Sequence, residues 1–125
     1  MDHRIIDLHV HSTESDGTLT PEELVAQAKK AGLAAFALTD HDTCQGVCKA
    51  MPCAASPGIE LIPGIELSTD YHGKEVHIVG LYIDIENEQL LKKTAEYRKC
   101  RSERNALMEE ALQKEGLAIR MEDLV

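Results

Sequence analysis

The chain has 125 residues, 43% of them hydrophobic and 28% charged, which is typical of one soluble globular domain. Its net charge of −9 argues against a protein that binds duplex nucleic acid through a basic face, and no apolar run approaches the roughly 20 residues of a membrane-spanning helix. Four cysteines without a Cys-x-x-Cys pair, and an N-terminus without a secretory signal pattern, favour free thiols and a cytoplasmic location.

The first predicted element is a buried strand at residues 4–11, where apolar and polar side chains alternate. Residues two apart on a strand point the same way, so the imidazoles of His9 and His11 can reach one ion. A polar loop, residues 12–19, follows this strand and turns at Asp16.

A helix is predicted to begin directly after this loop. Thr20 suits the N-cap, Pro21 suits the first helical position, and Glu23 completes a capping box. Gly32 ends the helix, and the apolar run at residues 33–39 predicts a second buried strand. A strand, a helix and a strand in close succession indicate a βαβ unit, and therefore a parallel sheet.

The next stretch, residues 43–56, is predicted to be helical at its start. Either Asp42 or Thr43 would cap this helix. Proline cannot continue the hydrogen-bond ladder of a helix, so Pro52 and Pro57 are expected to limit its length.

Two further strands complete the predicted sheet. Residues 59–68 form the third, which is expected to be interrupted or bent at Pro63, and a hairpin turn at residues 71–74 leads into the fourth, residues 75–83. Four strands with their helices make about half of a closed barrel. We therefore expect an amino-terminal fragment with an open sheet edge, through which copies of the chain could associate.

A long charged helix is predicted for residues 87–115, with Gly116 at its end. Its length exceeds that of most globular helices, which predicts a kink or a helix that projects from the body. Residues 121–125 have the pattern of another helix opening.

Six potential metal ligands are placed at or just after predicted strands: His9, His11, Asp16, His41, Glu66 and His77. The carboxyl ends of parallel strands converge at one edge, so these side chains are expected to share a space. Each of them alone has an ordinary structural explanation, and only their joint occurrence favours a metal site. Imidazole and carboxylate ligands suit zinc, manganese or iron, and Glu66 could bridge two ions.

Three segments carry a resemblance to a known family: DLHVHSTESDGTLTPEELVAQAKKAGLAAFALTDHDT, GIELIPGIELST and VHIVGLYID. Together they resemble the amino-terminal half of the PHP family, named for polymerase and histidinol phosphatase, over residues 4–84. The resemblance implies an α/β fold, the amino-terminal half of a distorted (β/α)7 barrel with a trinuclear metal centre. Residues 1–86 would be the partial barrel, and residues 87–125 the start of an inserted helical lid.

The same resemblance assigns the six residues above to the first six metal ligands of the family. The family's later ligands, a further His and an Asp-x-His pair, have no counterpart here, since no His follows His77. This departure supports truncation and leaves a complete trinuclear site in question.

The resemblance is strongest to small bacterial phosphoesterases similar to nucleoside 3′,5′-bisphosphate phosphatases and 5′-to-3′ exoribonucleases. It implies a hydrolase in which two to three Zn, Mn or Fe ions activate a hydroxide that attacks a phosphate mono- or diester. The expected partner is a phosphorylated small molecule or a short oligonucleotide. The alternative is a non-catalytic metal-binding fragment that is inactive until it assembles with the rest of a barrel.

Three further residues are candidates for the reaction itself. Asp40, beside His41, is expected to orient a ligand or shuttle a proton, with a purely structural role as the alternative. Arg101 and Arg104 belong to a series of arginines three residues apart on the long helix. They could bind a substrate phosphate through their guanidinium groups, or simply form a solvated helix face.

Overall fold

The computed structural model describes residues 4–55 and 58–124. A four-stranded sheet in the order β1-β2-β3-β4 carries the helices. The elements are β1 (Ile6–Val10), α1 (Pro21–Lys30), β2 (Ala35–Leu38), α2 (Gln45–Ala54), β3 (Glu60–Tyr71), β4 (Lys74–Leu81), α3 (Glu88–Lys114) and a 3-10 turn (Met121–Leu124). The predicted α/β class is confirmed.

The start of α1 is formed by the predicted capping box. The amide of Glu23 donates to Thr20 Oγ1 at 3.2 Å, and the carboxylate of Glu23 accepts from the amide of Thr20 at 2.9 Å. These two bonds satisfy backbone donors that the first helical turn leaves free. The helix then returns the chain to β2, which pairs with β1 in parallel as the βαβ pattern predicts.

The hydrophobic core lies between the sheet and the first two helices. Phe36 and Leu38 of β2 are fully buried against Val25 of α1 and Val47 of α2. Because side chains alternate along a strand, Ala35 and Ala37 point to the opposite face of the sheet. Both faces of β2 are therefore buried.

The third strand changes partner at Pro63. It is parallel to β2 up to Pro63 and antiparallel to β4 from Gly64 onward, without a break in the strand. Pro63 has no N–H to donate, and it is the last residue in register with β2. Of the two outcomes predicted at Pro63, an interruption or a bend, the interruption is wrong, and the sheet combines parallel and antiparallel pairs.

The hairpin between β3 and β4 is confirmed. His72 and Gly73, at its tip, both have positive φ, 51° and 77°, as a two-residue type I′ turn requires. The turn starts the antiparallel pairing that brings β4 alongside the far half of β3.

Three expectations about element ends and burial are wrong. The first strand is largely exposed, with Ile6 at 53%, because β1 has one neighbour in the described sheet. Helix α2 is preceded by Cys44 rather than capped by Asp42 or Thr43, and Pro52 lies inside it. Near its end Pro52 removes only one intrahelical bond, so the helix continues to Ala54.

The carboxyl-terminal part is dominated by α3, which Asn87 caps by accepting from the amide of Leu90 at 2.9 Å. Gly116, at φ 86°, follows the helix as predicted. Residues 121–124 form a 3-10 turn rather than an α-helix, and the predictions for Pro57 and Val125 lie outside the described residues. No helix within residues 4–55 and 58–124 is long and apolar enough to cross a membrane.

Candidate metal centre

The six potential ligands come together at one end of the sheet: His9, His11, Asp16, His41, Glu66 and His77. His11 directly follows β1, and His41 lies shortly after the end of β2 at Leu38, as expected. Glu66 and His77 lie inside β3 and β4 instead of at strand ends. They reach the same space because β3 continues past the end of β2 and carries β4 with it.

Glu66 is the centre of the cluster. Its Oε2 lies 2.9 Å from His9 Nε2 and 2.8 Å from His11 Nε2, and its Oε1 lies 3.1 Å from His77 Nδ1. The backbone fixes this carboxylate, because Glu66 pairs with His41 in a parallel bridge and is only 6% exposed. The Glu66 side chain thus contacts imidazoles from β1 and from β4, the two outer strands of the described sheet.

Asp16 closes the other side of the cluster from the loop after β1. Its Oδ1 lies 2.9 Å from His11 Nδ1 and its Oδ2 lies 3.3 Å from His41 Nε2. The cluster therefore divides into three overlapping groups whose ligand atoms lie within 4.8 Å of one another: His9, His11 and Glu66; His11, Asp16 and His41; and His41, Glu66 and His77.

Two imidazole nitrogens of this cluster lack a hydrogen-bond partner within the described chain, and a bound cation would take that place. His11 Nδ1 and His41 Nδ1 are buried and have no hydrogen-bond partner among the described residues, although Asp16 Oδ1 is close to the former. A buried polar atom without a partner costs free energy. Tetrahedral ligands of one zinc ion lie about 3.4 Å apart, which is close to the spacing of the nitrogen and oxygen atoms in this cluster. A shared cation would therefore give the imidazole nitrogens and the carboxylate oxygens a common partner.

The electrostatics of the cluster favour charged carboxylates. Burial tends to raise the pKa of Glu66, but the imidazoles of His9, His41 and His77 outweigh it and hold the pKa below its ordinary value. The hydrogen bond that His77 Nε2 donates to the Glu75 carboxylate, together with its contact with Glu66, raises the pKa of His77. Carboxylate oxygens next to imidazole nitrogens form a ligand set suited to a divalent cation.

Asp40 lies behind the cluster rather than in it. Its carboxylate accepts from the amide of Ser12 at 2.6 Å, from the hydroxyl of Ser12 at 2.7 Å, and from the hydroxyl of Ser15 at 2.8 Å. None of its hydrogen bonds within the described chain goes to a potential ligand. These contacts hold the loop that carries Asp16, and they fit the positioning role predicted for Asp40 better than proton transfer.

Two glycines allow this arrangement: Gly17, at the turn that the sequence predicts, and Gly46, which the sequence does not single out. A Cβ on Gly17 would lie 2.3 Å from the carbonyl oxygen of His11, and a Cβ on Gly46 would lie 2.3 Å from Asp40 Oδ2. Both distances are too short for any side chain. The DG pair at Gly17 was a visible signal for a turn, whereas the need for glycine at position 46 depends on distant contacts.

A cleft of about 690 Å³ runs from the cluster to α3. Arg101 and Arg104 both line it, as their predicted role requires. Arg101 Nη2 donates to Asp42 Oδ2 at 2.6 Å and to Ser68 Oγ at 2.7 Å, and Arg98 Nη1 donates to the carbonyl of Asp42 at 2.6 Å. The sequence places Asp42 beside His41 or at a helix cap, and it does not indicate a role for Ser68.

Comparison with known proteins gives a consistent set of relatives. The family model for the PHP domain matches residues 7–118. A 5′-3′ exoribonuclease of Haemophilus influenzae is 41% identical over 111 residues, covering 89% of this chain and 40% of that protein. A 3′,5′-nucleoside bisphosphate phosphatase of Chromobacterium violaceum is 42% identical over 113 residues, covering 90% of this chain and 40% of that protein.

The fold comparison agrees with these relatives. The solved structure of a protein designated a metal-dependent phosphoesterase, from Bifidobacterium adolescentis, superposes with a TM-score of 0.87 at 34% identity. The match covers 97% of this chain and 42% of that one. The chain thus spans about 40% of the length of the curated relatives it matches.

Proposed function

Because this chain belongs to the PHP domain family, we propose that it supplies the metal-binding part of a phosphoesterase that hydrolyses phosphate mono- or diesters of nucleotides or short RNA. The observation that carries the proposal is the carboxylate of Glu66, which lies within 3.1 Å of imidazole nitrogens from three histidines. The substrate class is inferred from relatives named an exoribonuclease and a nucleoside bisphosphate phosphatase.

We assign the metal ions to the three overlapping groups of the cluster, with two to three ions of Zn, Mn or Fe. Their ligands would be His9, His11, Asp16, His41, Glu66 and His77. When bound, divalent ions neutralise phosphoryl oxygens and lower the pKa of a coordinated water to about 7. Glu66 would bridge neighbouring ions, since its two oxygens contact different histidines.

The remaining residues would bind and orient the substrate. Arg101 and Arg104 line the cleft on the side facing α3, where guanidinium N–H groups can donate to phosphate oxygens. Asp40 would act through the Ser12–Ser15 loop by keeping Asp16 at its place in the cluster. The chain's cysteines are free thiols, three of them exposed, which fits a reducing cytoplasm.

A second candidate function follows from the exposed first strand. Leu8, like Ile6, is more than one third exposed, at 38%, and β1 has a neighbour on one side only within the described sheet. Such an edge can pair with further strands or with a second copy of the chain. In this case the chain is a metal-binding module without activity of its own until the sheet is extended.

The experiment that separates these functions is a hydrolysis assay with added Mn²⁺. Adenosine 3′,5′-bisphosphate and a 5′-phosphorylated RNA oligonucleotide serve as substrates. We expect release of phosphate or mononucleotide that Glu66→Gln abolishes and Glu60→Gln leaves unchanged, because Glu60 lies on the same strand but contacts Tyr82 instead. Metal binding without hydrolysis supports the second candidate, and the absence of both contradicts the proposal.

A further inference from the structure

One buried carboxylate at the cleft belongs to none of the three ligand groups. Asp42 is 1% exposed and adopts a φ of 52°, in the left-handed region that few residues other than glycine, asparagine and aspartate adopt. Its backbone amide donates to the carbonyl of Glu66 at 3.0 Å, and its Oδ1 accepts from the amide of Ser68 at 3.1 Å. Asp42 is thus held against β3 by its backbone and by its side chain.

The other oxygen of this carboxylate faces α3. Asp42 Oδ2 accepts from Arg101 Nη2, which also donates to Ser68 Oγ, and the Asp42 carbonyl accepts from Arg98. Thr94 is the one buried residue of α3. Within the described residues, the hydrogen bonds of the two arginines to Asp42 and Ser68 are the ones that join the middle of α3 to β3 and to the segment after β2.

We propose that Asp42 is a positioning residue that fixes the guanidinium of Arg101 in the cleft beside the metal cluster. This proposal rests on the proposed function, which assigns the guanidinium of Arg101 to substrate phosphate. Both N–H groups of Nη2 are engaged by Asp42 and Ser68, and Arg101 makes no other hydrogen bond within the described chain. Its other three N–H donors therefore stay available to an oxyanion while the group is held in place.

This arrangement explains why an aspartate occupies a strained backbone position. A left-handed conformation is strained for a residue with a side chain, and the surrounding contacts must offset that strain. At this φ the carboxylate reaches a strand amide and an arginine together. Charge-assisted hydrogen bonds of this kind are about twice as strong as neutral ones, and the Asp42 carboxylate is shielded from water, while Arg101 is 34% exposed.

The test measures how fast each arginine side chain rotates about its Nε–Cζ bond, by NMR on the ¹⁵N-labelled, metal-free full chain without phosphate. In the wild-type chain we expect Arg101 to rotate at least about tenfold more slowly than Arg104, for which the described chain shows no hydrogen bond. The Asp42→Asn variant is informative because asparagine also accepts a left-handed φ. It should release Arg101 and leave Arg98 slow, since the acceptor for Arg98 is a backbone carbonyl.

Further variants keep the result interpretable. Ser68→Ala removes one of two acceptors and should accelerate Arg101 only partly. Glu96→Gln breaks an exposed ion pair with Lys93 on the same helix and should change neither arginine. Equal rotation of Arg101 and Arg104 in the wild-type chain would overturn the proposal without any variant. Release of Arg98 together with Arg101 in Asp42→Asn would also overturn it, because that result means that the helix has detached.

Discussion

The carboxylate of Asp40 accepts hydrogen bonds from both the backbone amide and the side-chain hydroxyl of Ser12, at 2.6 and 2.7 Å. Both residues are buried, so neither partner can turn to water instead. Ser12 directly follows His11, and the loop it starts carries Asp16. A contact behind the cluster therefore determines where two of the potential ligands lie.

Replacing Asp40 by alanine should destabilise the fold. The change leaves the amide and hydroxyl of Ser12 buried without a partner, which costs roughly 3 kcal/mol in the free energy of unfolding. Urea denaturation measures this loss. Asp84→Ala is the matched control, because Asp84 is exposed and, among the described residues, its carboxylate accepts from the nearby amide of Glu86 alone. Equal midpoints for the two variants would show that the Ser12 contact contributes little.

A Gly17→Ala substitution should displace the same loop through a steric clash rather than through lost hydrogen bonds. The new methyl group would meet the carbonyl of His11 at 2.3 Å, so the backbone must shift, at a cost of about 1–3 kcal/mol. We expect lower stability in urea together with weaker Mn²⁺ binding by calorimetry. Gly80→Ala serves as control, since its nearest contact is a side-chain methyl group of Ile83 at 3.3 Å rather than a backbone atom. Unchanged Mn²⁺ affinity in Gly17→Ala would separate the loop from the metal site.

Local features of the fold were predictable from the sequence. The capping box at Thr20 and the turn at Gly73 each depend on a few neighbouring residues, and both are confirmed. The resemblance to the PHP family is confirmed as well, through motifs that combine several such signals.

The features that sequence reasoning missed depend on distant pairing. Proline usually interrupts a strand, so Pro63 alone predicts a break. The strand continues because the hairpin that follows supplies β4 as a new partner from Gly64 onward. Asp42 looks like a helix cap in the sequence, since nothing local indicates that Arg101, on α3, will approach it. The exposure of Ile6 likewise depends on how many strands flank β1. The ligand roles of the six cluster residues remain predictions.

Cys44 should be the least reactive cysteine of the chain. Burial, reinforced by nearby Cys48, raises the pKa of the Cys44 thiol above its ordinary value of 9.0, so less of the nucleophilic thiolate is present at pH 8. Because the folded state keeps this proton, its stabilising contribution is full below pH 9.0 and is lost as the pH rises through the raised pKa.

Iodoacetamide labelling followed by peptide mass spectrometry tests this order. We expect Cys44 to react about tenfold or more slowly than the exposed Cys48, Cys53 and Cys100. The three exposed thiols act as internal controls. Labelling of Cys44 at their rate would contradict its burial.

Arg101 and Arg104 should both contribute to oxyanion binding, but in distinguishable ways. Each alanine variant should lower the affinity for inorganic phosphate in the presence of Mn²⁺ about tenfold, as the loss of a charge-assisted hydrogen bond implies. Arg101→Ala alone should also speed amide hydrogen exchange in α3, because only Arg101 of this pair bonds to Asp42.

The control for these variants is Arg120→Ala. Arg120 lies outside the cleft and forms an exposed ion pair with Glu122. If Arg120→Ala weakens phosphate binding as much as the other two variants, the effect reflects net charge rather than the cleft.

The most direct test of the account is the metal content of the chain, measured by inductively coupled plasma mass spectrometry after purification without added metal or chelator. The cluster around Glu66 predicts two or more transition-metal ions per chain, falling sharply in Glu66→Gln and unchanged in Glu60→Gln. Less than one ion per chain in the wild-type protein would contradict the account, because these side chains would then not form a metal centre in this chain.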